Sequence, residues 1–370
     1  MNEFIELTEE FAKKIGEMEN ERKKIAEFLK EVNNSTSLTS IGHEVMEGKL
    51  IYPIKKINVE KFTVAGIDGG LLKQSLHGID IMLLRAVGVF FVYQNGKLVS
   101  TEYYPSSVPS PAPKVFFDPY SEIEFEILSN MERQIIEIET ARETLEKFEP
   151  QILLLHGSIL PHYSDRPSKS SLLFSTFQRM IDTYKNFLDV ASKSNAVVAG
   201  VVEDSRGTRF CEVIARKVIG ETDDPIAREL KFVLSRTKDT HLLTHLLNLN
   251  ERTLIFRYSA NPENHPVLRD FGEVLANEFY TYYLKTAEFD RPIRIDFFGH
   301  KGVVEIADVL SPILIELTTH SGYGLPSVLI EADQRVKLGE NDLEFFYNDL
   351  INKTGNIPGL FMQRREQRPI

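Results

Sequence analysis

The stretch that decides the fold is FTVAGIDGGLLKQSLHGIDIMLLRAVGVFFVYQNGKLVSTEYY, residues 62–104. Its first seven residues, Phe62 to Asp68, form an apolar strand that ends in a carboxylate. The run IDIMLLRAVGVFFVYQ follows, and Asn95-Gly96 joins it to Lys97–Tyr104. Asn-Gly between two apolar runs is the strongest short hairpin signal, because both turn positions need positive φ. The expectation is three adjacent antiparallel strands. Pro105, Pro109, Pro111 and Pro113 follow within nine residues and argue for an irregular surface loop.

Downstream the pattern changes to helix and strand in alternation. Apolar residues at Leu128, Met131, Ile135, Ile138, Ala141 and Leu145 mark a helix from near Pro119 to Phe148. It leads into a buried strand, QILLLHGSI (Gln151 to Ile159), then a helix over Ser170 to Ser192 and a second apolar strand, NAVVAGVVED. Such alternation implies parallel pairing after the opening meander, hence a mixed sheet. Helices are expected over Arg209 to Ile219 and Pro225 to Leu234. TLIFRYS and a hairpin of NEFYTYYLKTA with RPIRIDFF come next. Two further helices, Val303 to Thr319 interrupted by Pro312 and Pro326 to Lys337, close the pattern.

The amino-terminal segment repeats apolar residues every seven positions, at Phe4, Phe11, Met18, Ile25 and Val32. That stripe suits a helix laid on a partner, paired in a short coiled coil, or packed on its own domain. A loop is expected at Asn33 to Ser37. The organisation read from the chain is an N-terminal helix over 1–36, a main domain over 60–340 and a C-terminal tail or helix over 341–370.

Composition narrows the classes. Of 370 residues, 42% are hydrophobic and 26% charged, which is a globular balance. Cys211 is the single cysteine, so neither an intramolecular disulfide nor a cysteine-rich zinc site is available, and a reducing cytoplasm is the expected compartment. No apolar run has the ~18–20 residues of a membrane span. The net charge of −11 argues against nucleic-acid binding through bulk charge, but not against a local basic track beside a carboxylate-rich metal site. No phosphate-binding loop, dinucleotide fingerprint, nucleophile elbow or zinc-protease motif is present.

Several carboxylates are candidates for chemistry. Asp68 stands at a strand end followed by two glycines, and His156 takes the equivalent place on the later strand; carboxyl ends of strands are where ligands gather. On the long helix, Glu139 lies nearest the apolar stripe between Ile135 and Ile138 and is read as aimed at the sheet. Glu203 and Asp204 end a strand, and Asp333 sits on an apolar helical face, where a carboxylate needs a partner or a metal.

Taken in order, AGIDGG, EPQILLLHGSI, GVVEDSRGTRF, DTHLLTHLLNLNERTLIF, RPIRIDFF and GYGLPSVLIEADQRVKL resemble the NurA nuclease family over about Phe62 to Lys337. The resemblance implies an RNase H-like fold and a manganese- or magnesium-dependent deoxyribonuclease. It further implies exonuclease (5′-3′) and single-strand endonuclease activity in DNA end resection, as a homodimer working with the hexameric ATPase HerA. Asp68 then corresponds to the first-strand metal ligand, Glu139 to the helix glutamate with Glu137 as the alternative, and Tyr323 to the tyrosine of a Gly-Tyr-Pro motif. Here Gly324 and Leu325 intrude before Pro326. His156 stands where the family has aspartate, and Asp333 where it has histidine, as though the two had exchanged places. Glu203 stands where lysine is more usual. The metal set expected is Asp68, Glu139, His156 and Asp333. The competing reading is an impaired NurA-like DNA-end clamp or adaptor for HerA.

Overall fold

A computed structural model describes residues 2–35, 44–56, 60–118, 120–220 and 224–354. The chain divides into two compact units. One comprises 1–57, 201–262 and 277–326; the other comprises 58–200, 263–276 and 327–370.

The second unit carries the meander. Strands β2 (Lys61–Ser75), β3 (Asp80–Gln94) and β4 (Lys97–Tyr104) pair antiparallel in sequence order. Asn95 and Gly96 have φ of 50° and 72°, the geometry that makes Asn-Gly the preferred hairpin link. Strand β6 (Ile152–His156) then adds parallel to β2, with β7 (Val197–Val202) beyond it, giving the order β7-β6-β2-β3-β4. The mixed sheet expected from the alternation is therefore formed. Helices α2 (Glu122–Phe148) and α3 (Phe174–Lys193) form the crossovers around β6. Ser121 caps α2: its hydroxyl accepts the Glu124 amide while the Glu124 carboxylate takes the Ser121 amide, so two otherwise unpaired donors at the helix start are satisfied. The short helix α7 (Glu273–Ala276), then α9 (Ser327–Val336) and α10 (Glu340–Thr354), complete the unit.

Several boundaries differ from the sequence reading. β2 does not stop at Asp68 but continues through the glycines to Ser75, in unbroken register with β3. Pro113 lies inside a strand, β5 (Ala112–Phe116), which pairs with the far part of β3 as an edge where a missing amide is tolerated. The start of α2 is at Glu122, and Pro119 lies outside the described residues, as do Thr36, Ser37 and 355–370.

The first unit holds α1 (Asn2–Ser35), β1 (Ile51–Pro53), α4 (Arg209–Val213), α5 (Pro225–Ser235), α6 (Asp239–Leu246), β8 (Glu251–Thr253), β9 (Phe256–Arg257), β10 (Phe279–Leu284), β11 (Ile293–Phe298) and α8 (Val303–Leu317). Its strands run β1-β8-β10-β11, with the expected β10–β11 hairpin antiparallel. α8 passes through Pro312 as one helix, not two. α1 extends through Asn33 to Ser35, because the Asn33 side chain accepts the backbone amides of Leu50 and Ile51 instead of ending the helix. Its second half is anchored by Ile25, Ala26 and Leu29, buried among Leu242, Leu243 and Leu246. Its first half leaves Phe4, Ile5, Leu7, Phe11, Ile15 and Met18 exposed. No described helix is long and apolar enough to cross a membrane.

Candidate metal centre

Parallel pairing fixes the site. Val64 to Ile67 of β2 lie opposite Ile152 to Leu155 of β6, so the next residues, Asp68 and His156, come abreast where β6 ends. Their side chains meet: His156 Nδ1 is 3.0 Å from Asp68 Oδ2, while Asp68 Oδ1 accepts the Gly69 amide at 2.7 Å. Asp68 is buried, 6% exposed.

Glycines let helices close on both faces of β2. A Cβ on Gly66 would stand 2.8 Å from the Val328 carbonyl oxygen, and one on Gly70 would stand 2.1 Å from that of Val336, so α9 rests directly on backbone. Side chains alternate along a strand, which puts Asp68 on this same face between the two glycines. There α9 delivers Asp333. One ligand atom from each of Asp68, His156 and Asp333 lies within 4.8 Å of the others, the one such cluster among the described residues. Asp333 is half-exposed, with Gln334 Nε2 3.2 Å and Lys337 Nζ 3.9 Å from its Oδ2. His156 and Asp333, 177 positions apart in sequence, thus converge on one site.

The helix glutamate is a correction. Glu139 is exposed, lining a groove between α2 and α3 with Arg142, Thr183 and Asp189. Two residues earlier, about 200° around the helix, Glu137 is buried and faces β2, its Oε2 3.0 Å from where a Cβ on Gly69 would sit. The apolar stripe misled because α2 is covered twice, by the sheet and by α3, so the stripe's centre does not point at the sheet. Burial pushes the Glu137 carboxyl up to about 7; the Arg133 guanidinium opposes that shift, and the Asp68 charge adds to it. Arg133 Nη1 lies 2.6 Å from Glu137 Oε2. Arg133 was not singled out from sequence, although its i, i+4 spacing to Glu137 marks it as a partner on one helix face.

Tyr323 stands in the first unit, where its hydroxyl donates to Glu203 Oε2 at 2.6 Å. The acid at position 203 thus has a partner within its own unit. Asp204 there pairs with Arg291 at 2.6 Å.

The triad fits a divalent ion. Two carboxylates and one neutral imidazole match its charge, and ligand atoms that all lie within 4.8 Å of one another can close on a common ion at ~2.0–2.6 Å with small side-chain adjustments. Three antiparallel strands, a crossover helix, a parallel strand and acids gathered where the parallel pair ends are the features of an RNase H-like nucleic-acid hydrolase. The chain belongs to the NurA family, a family of nucleases: the NurA domain model matches residues 62–338. The NurA nuclease from Sulfolobus solfataricus is similar in structure, at 16% identity over 93% of this chain and 98% of that one, with a TM-score of 0.53. A NurA structure with manganese matches at 12% identity over 94% and 97%, TM-score 0.49. An endonuclease V from Ciona intestinalis, in complex with inosine-containing DNA, matches at 16% identity over 91% and 99%, TM-score 0.32. No curated protein sequence is a significant match.

Proposed function

We propose that the protein is a divalent-metal-dependent deoxyribonuclease whose ion is held by Asp68, His156 and Asp333. The observation that carries this is the convergence of those three side chains at the end of the β2–β6 pair. A bound divalent ion supplies Lewis acidity at the scissile phosphate. The protein's own part is orientation. The Asp68 carboxylate, 3.0 Å from Nδ1, orients the imidazole, and a proton held on Nδ1 would make Nε2 the ligating atom. The Gly69 amide holds the other Asp68 oxygen, and close packing of α9 on Gly66 and Gly70 sets the position of Asp333.

An imidazole in the donor set favours manganese over magnesium, which prefers oxygen alone. The substrate is linear DNA, single strands and duplex ends, cut in the 5′-3′ direction or internally on single strands during end resection. The partners are a second copy of the chain and a HerA-type ATPase. The six exposed apolar residues in the first half of α1 support such assembly, since an apolar surface of that extent on one helix calls for a cover.

The test is cleavage of end-labelled single-stranded and blunt duplex DNA with manganese, with magnesium and with chelator. Manganese-dependent cleavage that Asp68→Asn abolishes is expected. DNA binding and HerA co-purification without cleavage under any metal would make the protein an end clamp or adaptor.

A further inference from the structure

Three carboxylates reach β2 at two adjacent residues, and they are not equivalent. Asp68 and Asp333 lie on the α9 face with His156. Glu137 arrives at Gly69, from the α2 face, and already has a cation: Arg133 Nη1 is 2.6 Å from its Oε2. The pair is well sheltered on the glutamate side, with side-chain exposures of 7% for Glu137 and 30% for Arg133. A carboxylate buried to that degree requires a counter-charge. Arg133 Nη1 also lies 3.5 Å from the Gly69 carbonyl oxygen, so the guanidinium is positioned by strand and helix together.

The charges can be counted. Asp68 and Asp333 with a neutral imidazole offset one divalent ion, and Arg133 offsets Glu137. No acid among these is left to hold a second ion. Two-ion nucleases clamp both the attacking and the leaving oxygen between metals. Building on the proposed metal-dependent nuclease, we infer that each chain holds a single divalent ion at the Asp68–His156–Asp333 triad, and that the Arg133 guanidinium takes the place of the second cation. Arginine suits the role because it stays charged at every working pH and its fork of donors matches phosphate oxygens. One edge is spent on Glu137, and the exposed remainder can donate to a non-bridging oxygen of the substrate.

Manganese stoichiometry and affinity, measured by calorimetry without DNA, test this directly. The wild-type chain binds one ion. Arg133→Ala removes the cation from Glu137 and binds two, Arg133→Lys binds one, and Arg133→Ala combined with Glu137→Ala returns to one. Glu137→Gln, which keeps the helix packing, retains one ion with affinity within about threefold of wild type. Two ions in the wild type, or a tenfold or greater loss of affinity in Glu137→Gln, overturns the substitution of Arg133 for a metal while leaving the nuclease reading intact. A single ion in a folded Arg133→Ala does the same. No ion in the wild type overturns both readings.

Discussion

Replacing His156 with aspartate places a second acid at the strand end, and the geometry makes the outcome calculable. The imidazole Nδ1 sits 3.0 Å from Asp68 Oδ2, and Asp333 also has an oxygen within 4.8 Å. His156→Asp therefore puts a second carboxylate against Asp68, with no proton between them at alkaline pH. At an effective dielectric near 20, two like charges about 4 Å apart repel by ~4 kcal/mol. In a domain of this size that corresponds to a fall in Tm of roughly 10 °C in chelator at pH 8. The loss fades toward pH 5, where the pair shares a proton. A divalent ion reverses it, and with three oxygen donors magnesium now rescues as well as manganese, whereas the wild type responds to manganese more strongly. Thermal unfolding of both proteins at two pH values, with chelator, manganese and magnesium, provides the assay. If His156→Asp melts within about 2 °C of wild type in chelator at pH 8 and no ion raises its Tm, the carboxylates do not face one another.

Gly70→Ala is expected to cost ~1–3 kcal/mol or more, since the added methyl would meet the Val336 carbonyl at 2.1 Å. By lifting α9 it also lowers manganese affinity, and denaturant unfolding with a parallel metal titration reads both effects. Burial raises the Glu137 carboxyl from its usual range to about 7, so the folded chain keeps a proton there that the unfolded chain has lost. Metal-free stability therefore declines as pH rises from about 4.5 to 7, and Glu137→Gln flattens that part of the profile; an unchanged slope would place the carboxyl in water. Deleting residues 1–18 removes the exposed half of α1 without touching the buried Ile25, Ala26 and Leu29. Light scattering should then show a smaller particle, or HerA should fail to co-purify, and a truncated chain matching wild type in both respects would mean that α1 serves only its own unit.

Much of the scaffold was legible because local signals agreed with tertiary ones. Asn95-Gly96 between two apolar runs specified the hairpin, and the ILLL run placed His156 at a strand end beside Asp68. The misreadings share a physical origin in close packing. Gly69-Gly70 reads as a turn in isolation, yet both residues lie in β2, where they make room for Glu137 on one face and the Val336 carbonyl on the other. Only the three-dimensional neighbours distinguish those uses of glycine. The apolar stripe favours Glu139 over Glu137 only for a helix with one buried side. α2 has two, and its ion-paired glutamates, Glu132 with Lys114 and Arg179 and Glu137 with Arg133, are buried alongside apolar residues. Pro312 predicts an interruption from its average effect on helices, whereas α8 runs through it as one helix.

In the proposed centre a histidine from β6 helps to hold a divalent ion at the Asp68 strand end. Manganese bound to the protein can be interrogated by pulsed electron paramagnetic resonance, which detects a coordinated imidazole through its nitrogen nucleus. The spectrum of the wild-type complex should show directly bound nitrogen, and that of His156→Asp should lose it while manganese remains bound. A wild-type spectrum without nitrogen coupling, or one that His156→Asp leaves unchanged, would rule out His156 as a ligand.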